Sequence, residues 1–295
     1  MSAFRGYNSW PQMTSLFPRP CPPLPEYQSL LVKGLYHASA PIHLLLSHTA
    51  DDPEARAIIL TPRRDAFKND LVDLNDAFIT EYGGHGRNAA AAQRVEIFYP
   101  PSLAHLRMLL SMLHEYDDVL HHAKTTLDTA PTLLVLHEIS EYFTAQASDA
   151  TVSAYLSVIS SALALTASWS PRCQTVSRLV VFDSGLNELK LPILKKLSFG
   201  ESEENQSPSR DTLSVLLERY FEWRVEFPEE PNADEEMRAE DEELETGAPQ
   251  VKTLKIRRLQ GDKVEHEGDD DVSWTWSESV QLDDAGKEQT SFLWD

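Results

Sequence analysis

The chain has 295 residues, 41% of them apolar, with a formal net charge of −21 and only two cysteines. That length suits one substantial α/β domain with extra segments, or two small domains, and the apolar share leads us to expect stretches outside any packed core. So acidic a body does not attract DNA non-specifically, so nucleic-acid contact has to rest on a local basic patch, and Cys21 and Cys173 lack metal-type spacing and suit a reducing intracellular compartment.

The N-terminus has no basic start followed by an apolar run, so no secretory signal is expected. No apolar stretch approaches the roughly 20 residues that span a bilayer, so no membrane partner is expected. Residues 1–26 carry Pro11, Pro18, Pro20, Pro22, Pro23 and Pro25. This density of proline opposes helix and ladder pairing, so an irregular, disordered arm is expected, with docking to an aromatic groove as the functional alternative.

Residues 29–33 (SLLVK) read as the first strand, closed by Gly34. Residues 34–41 (GLYHASAP) then stand where a strand-to-helix phosphate loop would lie. Such a loop needs a second glycine for backbone approach, a lysine for phosphate charge and a hydroxyl for magnesium. Ser39, Ala40 and Pro41 occupy those offsets, so lysine and hydroxyl are both missing. Pro41 suits the first turn of a helix over residues 42–48.

Residues 57–61 (AIILT) predict a second strand, followed at once by Arg63, Arg64 and Lys68. These are candidates for phosphate contact, or equally a solvated loop end. Residues 69–94 show a faint helical period, and Gly83–Arg87 (GGHGR) reads as a flexible loop that opens no helix. Residues 95–99 predict a third strand. Ser102 is placed to cap a helix running to about Tyr116, with Leu103, Leu106, Leu109, Leu110 and Leu113 as its core face. A polar loop over residues 117–130 follows.

Residues 132–136 (TLLVL) are almost unbroken apolar or β-branched, the pattern of a strand covered on both faces. His137 and Glu138 stand at its carboxyl end, the side on which open α/β sheets bind ligands. A magnesium-binding enzyme of this class has aspartate where His137 stands. Residues 151–169 predict a long helix and residues 178–182 (RLVVF) a strand, with Asp183 and Ser184 at its end facing the crevice. A short helix over 189–199, a polar loop over 200–210, and a helix turning into a strand over 212–227 complete the core.

Residues 229–245 hold ten carboxylates and one arginine and read as a solvated linker. The tail alternates apolar and polar residues around Leu254, Ile256, Trp274, Trp276, Phe292 and Trp294, which predicts antiparallel strands. Lys252, Lys255, Arg257 and Arg258 form a second basic cluster, and on a strand Lys255 and Arg257 share a face opposite Leu254 and Ile256. The expected division is a disordered arm 1–26, an α/β core 27–228, an acidic linker 229–248 and C-terminal hairpins 249–295. Trp274 and Trp276 are read as core, with base stacking the alternative. HEISE at residues 137–141 lacks the second histidine of a zinc helix, and His114, His121 and His122 have no ligand spacing, so no metal is expected.

With these elements placed, residues 95–116 (VEIFYPPSLAHLRMLLSMLHEY) and 132–143 (TLLVLHEISEYF) resemble the RecA-like recombinase paralogues. Within that family they look like the ATPase-like partner of the SWIM-domain protein in the Shu complex. LLERYF at 216–221 and the Trp274–Trp276 hairpin fit the same order. The resemblance implies a RecA-like core, a mostly parallel sheet between helices with antiparallel C-terminal strands. It also implies a nuclear role beside a SWIM-domain partner, helping a RecA-type recombinase assemble on single-stranded DNA. Against the family pattern, the loop lacks its lysine and hydroxyl, His137 replaces the aspartate, and Asp183 stands where relatives place a glutamine that senses the γ-phosphate. Gly34, Ser39, His137 and Glu138 therefore mark a degenerate nucleotide site, with no ATP hydrolysis and no resident cofactor expected. Arg63, Arg64, Lys68, Lys252, Lys255, Arg257 and Arg258 are the DNA-contact candidates. Two other readings stay open: an active ATPase binding ATP and magnesium through an atypical loop, and an acidic adaptor unconnected with recombination.

Overall fold

Strands built from unbroken apolar runs need cover on both faces. The computed structural model describes residues 13–50, 52–116, 118, 122–143, 150–169, 176–192, 213–228, 250–260, 271–282 and 286–294, and it supplies that cover. In chain order the elements are β1 (Ser29–Gly34), α1 (Ala40–Ala50), β2 (Ala57–Leu60), α2 (Arg64–Asp73), α3 (Ala77–Tyr82), α4 (Gly86–Ala92), β3 (Val95–Phe98), α5 (Leu103–Met112), β4 (His114–Glu115) and β5 (Thr126–Leu127). There follow β6 (Leu133–His137), a 3₁₀ turn (Ile139–Phe143), α6 (Val152–Trp169), β7 (Arg178–Asp183), a second 3₁₀ turn (Ser184–Asn187), α7 (Leu213–Glu218), β8 (Trp223–Phe227), β9 (Gln250–Arg258), β10 (Asp271–Leu282) and β11 (Glu288–Trp294).

The fold is α/β. Nine strands join in the order β11-β10-β9-β8-β1-β7-β6-β2-β3. From β8 to β3 all neighbours are parallel, and β9, β10 and β11 continue antiparallel. Leu31, Leu134, Leu136, Leu179 and Val181 face one core with α5, α6 and α7. Leu30, Val32, Val135, Val180 and Phe182 face the other, under α1, Phe67 of α2 and residues 16–27. The strand at 132–136 has cover on both sides, as its composition requires. α6 is long and apolar enough to cross a membrane by length and composition, which the sequence reading did not anticipate. Its Tyr155, Val158, Ile159 and Ala162 are buried in the first core.

Local chemistry places several boundaries. Ser102 caps α5, its Oγ accepting from the His105 amide at 3.4 Å. That helix stops at Met112, not near Tyr116, because His114 and Glu115 pair with Thr126 and Leu127. The expected loop over 117–130 therefore contains a strand. Gly83–Arg87 also departs from expectation: α3 ends with Gly83 as its C-cap, and Gly86 opens α4 into an alanine run of high helix propensity.

The largest correction concerns the proline-rich start. Leu16, Phe17, Cys21, Leu24 and Tyr27 are all buried, so residues 13–26 are not a free arm. Phe17 lies 4.9 Å from Trp276, 5.1 Å from Phe292 and 5.2 Å from Trp294, ring centre to ring centre. Proline excluded regular structure from this segment, as expected, but not burial, because aromatic side chains between the prolines carry enough apolar area to pack. Residues 1–12, 200–210 and 229–248, His121, Cys173 and most of the expected helix at 189–199 lie outside the described residues.

Truncating Phe17 removes the centre of this aromatic cluster. Phe17→Ala is expected to lower the unfolding free energy by about 3–5 kcal/mol, read by urea titration with tryptophan fluorescence. Wild-type stability in that variant would place the segment outside the cooperative core.

Candidate functional site

The crevice lies beyond the carboxyl ends of β1, β6 and β7. Gly34 ends β1 at φ +91°, and a Cβ there would sit 2.1 Å from the Phe227 carbonyl oxygen. Its glycine is thus required by the close approach of β8, not by a phosphate. Beyond it the β1–α1 loop satisfies itself. The Tyr36 amide donates to the Gly34 carbonyl at 2.9 Å, the Ala40 amide to the His37 carbonyl at 2.9 Å, and the Ser39 amide to His37 Nδ1 at 3.2 Å. Pro41 has no amide to offer. A phosphate cradle needs such groups turned inward and open. The nearest lysine, Lys33, points to the other face of the sheet, with Nζ 3.0 Å from Ser214 Oγ and 3.2 Å and 3.4 Å from Glu218 and Glu226.

Two side chains that the sequence reading passed over fill the crevice. Tyr36 folds back against Phe182, Phe227 and His137 and donates its hydroxyl to the Glu138 carboxylate. Glu138 adopts a left-handed φ of +49°, its amide donates to Phe182 O at 2.7 Å, and its carboxylate accepts from the Ser184 amide at 3.1 Å and hydroxyl at 2.9 Å. Burial raises its pKa against the pull of those hydrogen bonds. Tyr36 is raised as well, by burial and by the Glu138 charge.

Asp76 is the second. As N-cap of α3 it accepts from the Ile79 amide through Oδ1 at 3.1 Å. Its Oδ2 accepts from Ser39 Oγ at 2.6 Å and lies 2.7 Å from His43 Nε2. This carboxylate therefore stands at the first turn of α1, where the helix dipole favours an anion. Burial opposes its charge, but the hydrogen bonds from His43 and Ser39 outweigh that and hold it below the usual carboxylate range. His37 Nδ1 approaches Ser39 Oγ at 2.8 Å and its ring packs edge-on against Phe292. Thr290 of β11 bridges to Asp76, so the C-terminal hairpin closes this corner.

His137 is buried beside Phe67, with Nδ1 3.0 Å from Thr61 Oγ1, and burial drives its pKa down to about 3. A neutral, packed imidazole is structural. Asp183 does not face the crevice as expected, because strand alternation turns it into the opposite core. It is fully buried, and its Oδ2 accepts from Tyr155 Oη at 2.5 Å and the Ser140 amide at 3.0 Å. Of the expected set, the structure gathers Gly34, Ser39, His137 and Glu138 around one crevice, but each is bonded to its own chain.

The basic candidates do not form one surface. Arg63 pairs with Glu141 at 2.8 Å, Arg64 stacks over Tyr99 at 5.9 Å, and Lys68 is exposed on α2. On β9, Lys255 and Arg257 share the exposed face as expected, and Arg257 is bound to Asp271 at 2.7 Å. Lys252 belongs to the opposite face, 2.8 Å from Glu278, and Arg258 stacks over Trp223 at 5.8 Å at the far end of the strand. The period of two splits the cluster. Trp276 is buried, in keeping with a core role.

No family model matches the chain. No curated protein matches it. Among solved structures it is similar to the RadB recombinase, at 14% identity over 88% of this chain and 89% of that one, with a TM-score of 0.43. It is also similar to a solved ATPase domain, at 8% identity over 84% and 80% of the two chains, with a TM-score of 0.41.

Burial, and then the neighbouring Glu138 charge, lift Asp183 from its ordinary value of 3.8 to about 7. Between those values the folded chain keeps a proton that the unfolded chain has lost, so this group's contribution to stability falls as pH rises through that window and levels above it. His137, with its lowered pKa, acts in the opposite sense on acidification, so the readout is the difference between variant and wild type. Asp183→Asn is expected to gain stability relative to wild type as pH rises from about 4 to about 7, measured by denaturant titration at several pH values. A difference that does not vary with pH would reject the assignment.

Proposed function

We propose that this chain is a non-catalytic RecA-like subunit of a Shu-type complex that assists recombinase assembly on single-stranded DNA during homologous recombination. The observation that carries the non-catalytic part is the self-occupied crevice: Tyr36 caps Glu138, and Asp76 takes the donors of Ser39 and His43 at the start of α1. A nucleotide entering here would have to displace both and break the loop's internal amide bonds. The Shu-type part rests on the segments 95–116 and 132–143 and their order along the chain. In this role the crevice is a scaffold, no cofactor is required, a SWIM-domain protein and a RecA-type recombinase are the partners, and the site of action is the nucleus.

Co-expression with the SWIM-domain protein of the same source tests the reading. The expected result is a single co-eluting species in size exclusion that forms without added nucleotide, together with no saturable heat when ATP and magnesium are titrated into the chain. Separate elution of the two proteins would overturn the Shu-type role; saturable ATP binding would overturn the non-catalytic one.

A further inference from the structure

At the opposite end of the sheet from the crevice, four strand ends bring together residues far apart in sequence. Trp223 pairs with Arg258 and with Leu30, and Leu30 pairs with Val180, so Arg258, Trp223 and Leu30 lie level across β9, β8 and β1, with Arg178 of β7 two residues beyond that level on the same face. Three strand spacings and two residues along the strand separate Arg258 from Arg178, about 16 Å. These strand ends border an open cavity of about 730 Å³ whose lining includes Tyr27, Trp223, Arg178, Arg258, Glu26 and Glu222. That volume is in the range that holds a small organic ligand.

Each of the two arginines lies beside an aromatic ring. Arg178 lies 5.5 Å from the centre of the Tyr27 ring and Arg258 lies 5.8 Å from that of Trp223. Among the described residues neither guanidinium has a carboxylate partner, in contrast to Arg63, Arg224 and Arg257, which are all ion-paired. Glu222 is already engaged, accepting from the Gln28 amide at 2.9 Å. A guanidinium drawn to an aromatic ring by cation–π attraction keeps its N–H donors for an oxyanion and can stack on a second planar group. Two such groups at one cavity suit a ligand that joins phosphate to planar bases.

We infer that this cavity is a binding site for a nucleotide unit of single-stranded nucleic acid, with Arg258 stacking on a base and Arg178 holding a backbone phosphate. The geometry of the site stands by itself; the choice of a strand over a free nucleotide rests on the recombination role proposed above. Glu26, exposed and with no cation partner among the described residues, repels the strand and keeps the site weak in the isolated chain.

The test is fluorescence anisotropy of a labelled short oligo-dT with the full-length chain, from low to physiological salt. Arg258→Ala is expected to weaken binding about tenfold, in line with the loss of one stacked base, and Arg178→Ala to weaken binding and to reduce the slope of log K against log salt by about 0.7 for the lost phosphate contact. Lys124→Ala, at an exposed lysine outside the cavity lining, is expected to leave binding unchanged, and Glu26→Gln to strengthen it. Thermal melting of each variant separates lost binding from lost folding, and Arg258→Lys, which keeps the charge but not the plane, is expected to recover only part of the affinity. Competition by thymidine monophosphate as strong as that by the oligonucleotide would assign the cavity to free nucleotides and overturn the strand assignment. Equal competition by polyglutamate would mark an acidic-peptide site and overturn the inference. So would no oligonucleotide binding at low salt, or binding indifferent to both arginines and to Glu26. Co-elution with a SWIM-domain protein is a separate measurement, so either proposal can fail while the other stands.

Discussion

A carboxylate taken out of water has to be met by donors, and the way Glu138 is met shapes this protein's crevice. Ser184 supplies an amide and a hydroxyl from the end of β7, and Tyr36 supplies a phenol from the loop after β1. To reach it, Tyr36 must lie across the strand ends on Phe182 and Phe227. That pose folds the loop inward, so its amides turn to neighbouring carbonyls and to His37. Asp76 completes the closure from the other side through Ser39 and His43. Two intramolecular carboxylates thus take up the side-chain donors of this crevice.

The same corner ties both ends of the described chain together. Phe17, near the start, packs into a cage of Trp276, Phe292 and Trp294 from the last two strands, and Phe227 of β8 closes it. β11 in turn bridges to Asp76 and faces His37 and His43 through Phe292. The antiparallel extension is therefore part of the wall that shuts the crevice. The apolar cluster and the polar network each hold the other in place.

Charge shows a similar division. Arg257 and Lys252 are held by acidic neighbours, which neutralises two of the four cations in the basic cluster on β9. Arg178 and Arg258, which come from strands remote in sequence, lie instead beside aromatic rings. Linear charge density was a poor guide here, because alternation along a strand sends neighbours to opposite faces while sheet order gathers residues that no local window contains.

What the sequence by itself determined is what short-range physics governs. Unbroken apolar runs specified strands covered on both faces, Ser102 specified a helix start, and the alternation through Leu254 and Ile256 specified which face of β9 is buried. It also showed that the β1–α1 loop lacks the groups for phosphate. The burial of residues 13–26 and the strand after α5 depended on partners elsewhere. Ser39 meets Asp76 across 37 positions and Tyr36 meets Glu138 across 102. Contacts at such separations leave no period or spacing to read, because they are chosen by which strands pair and which helices cover them, and only the folded chain makes that choice.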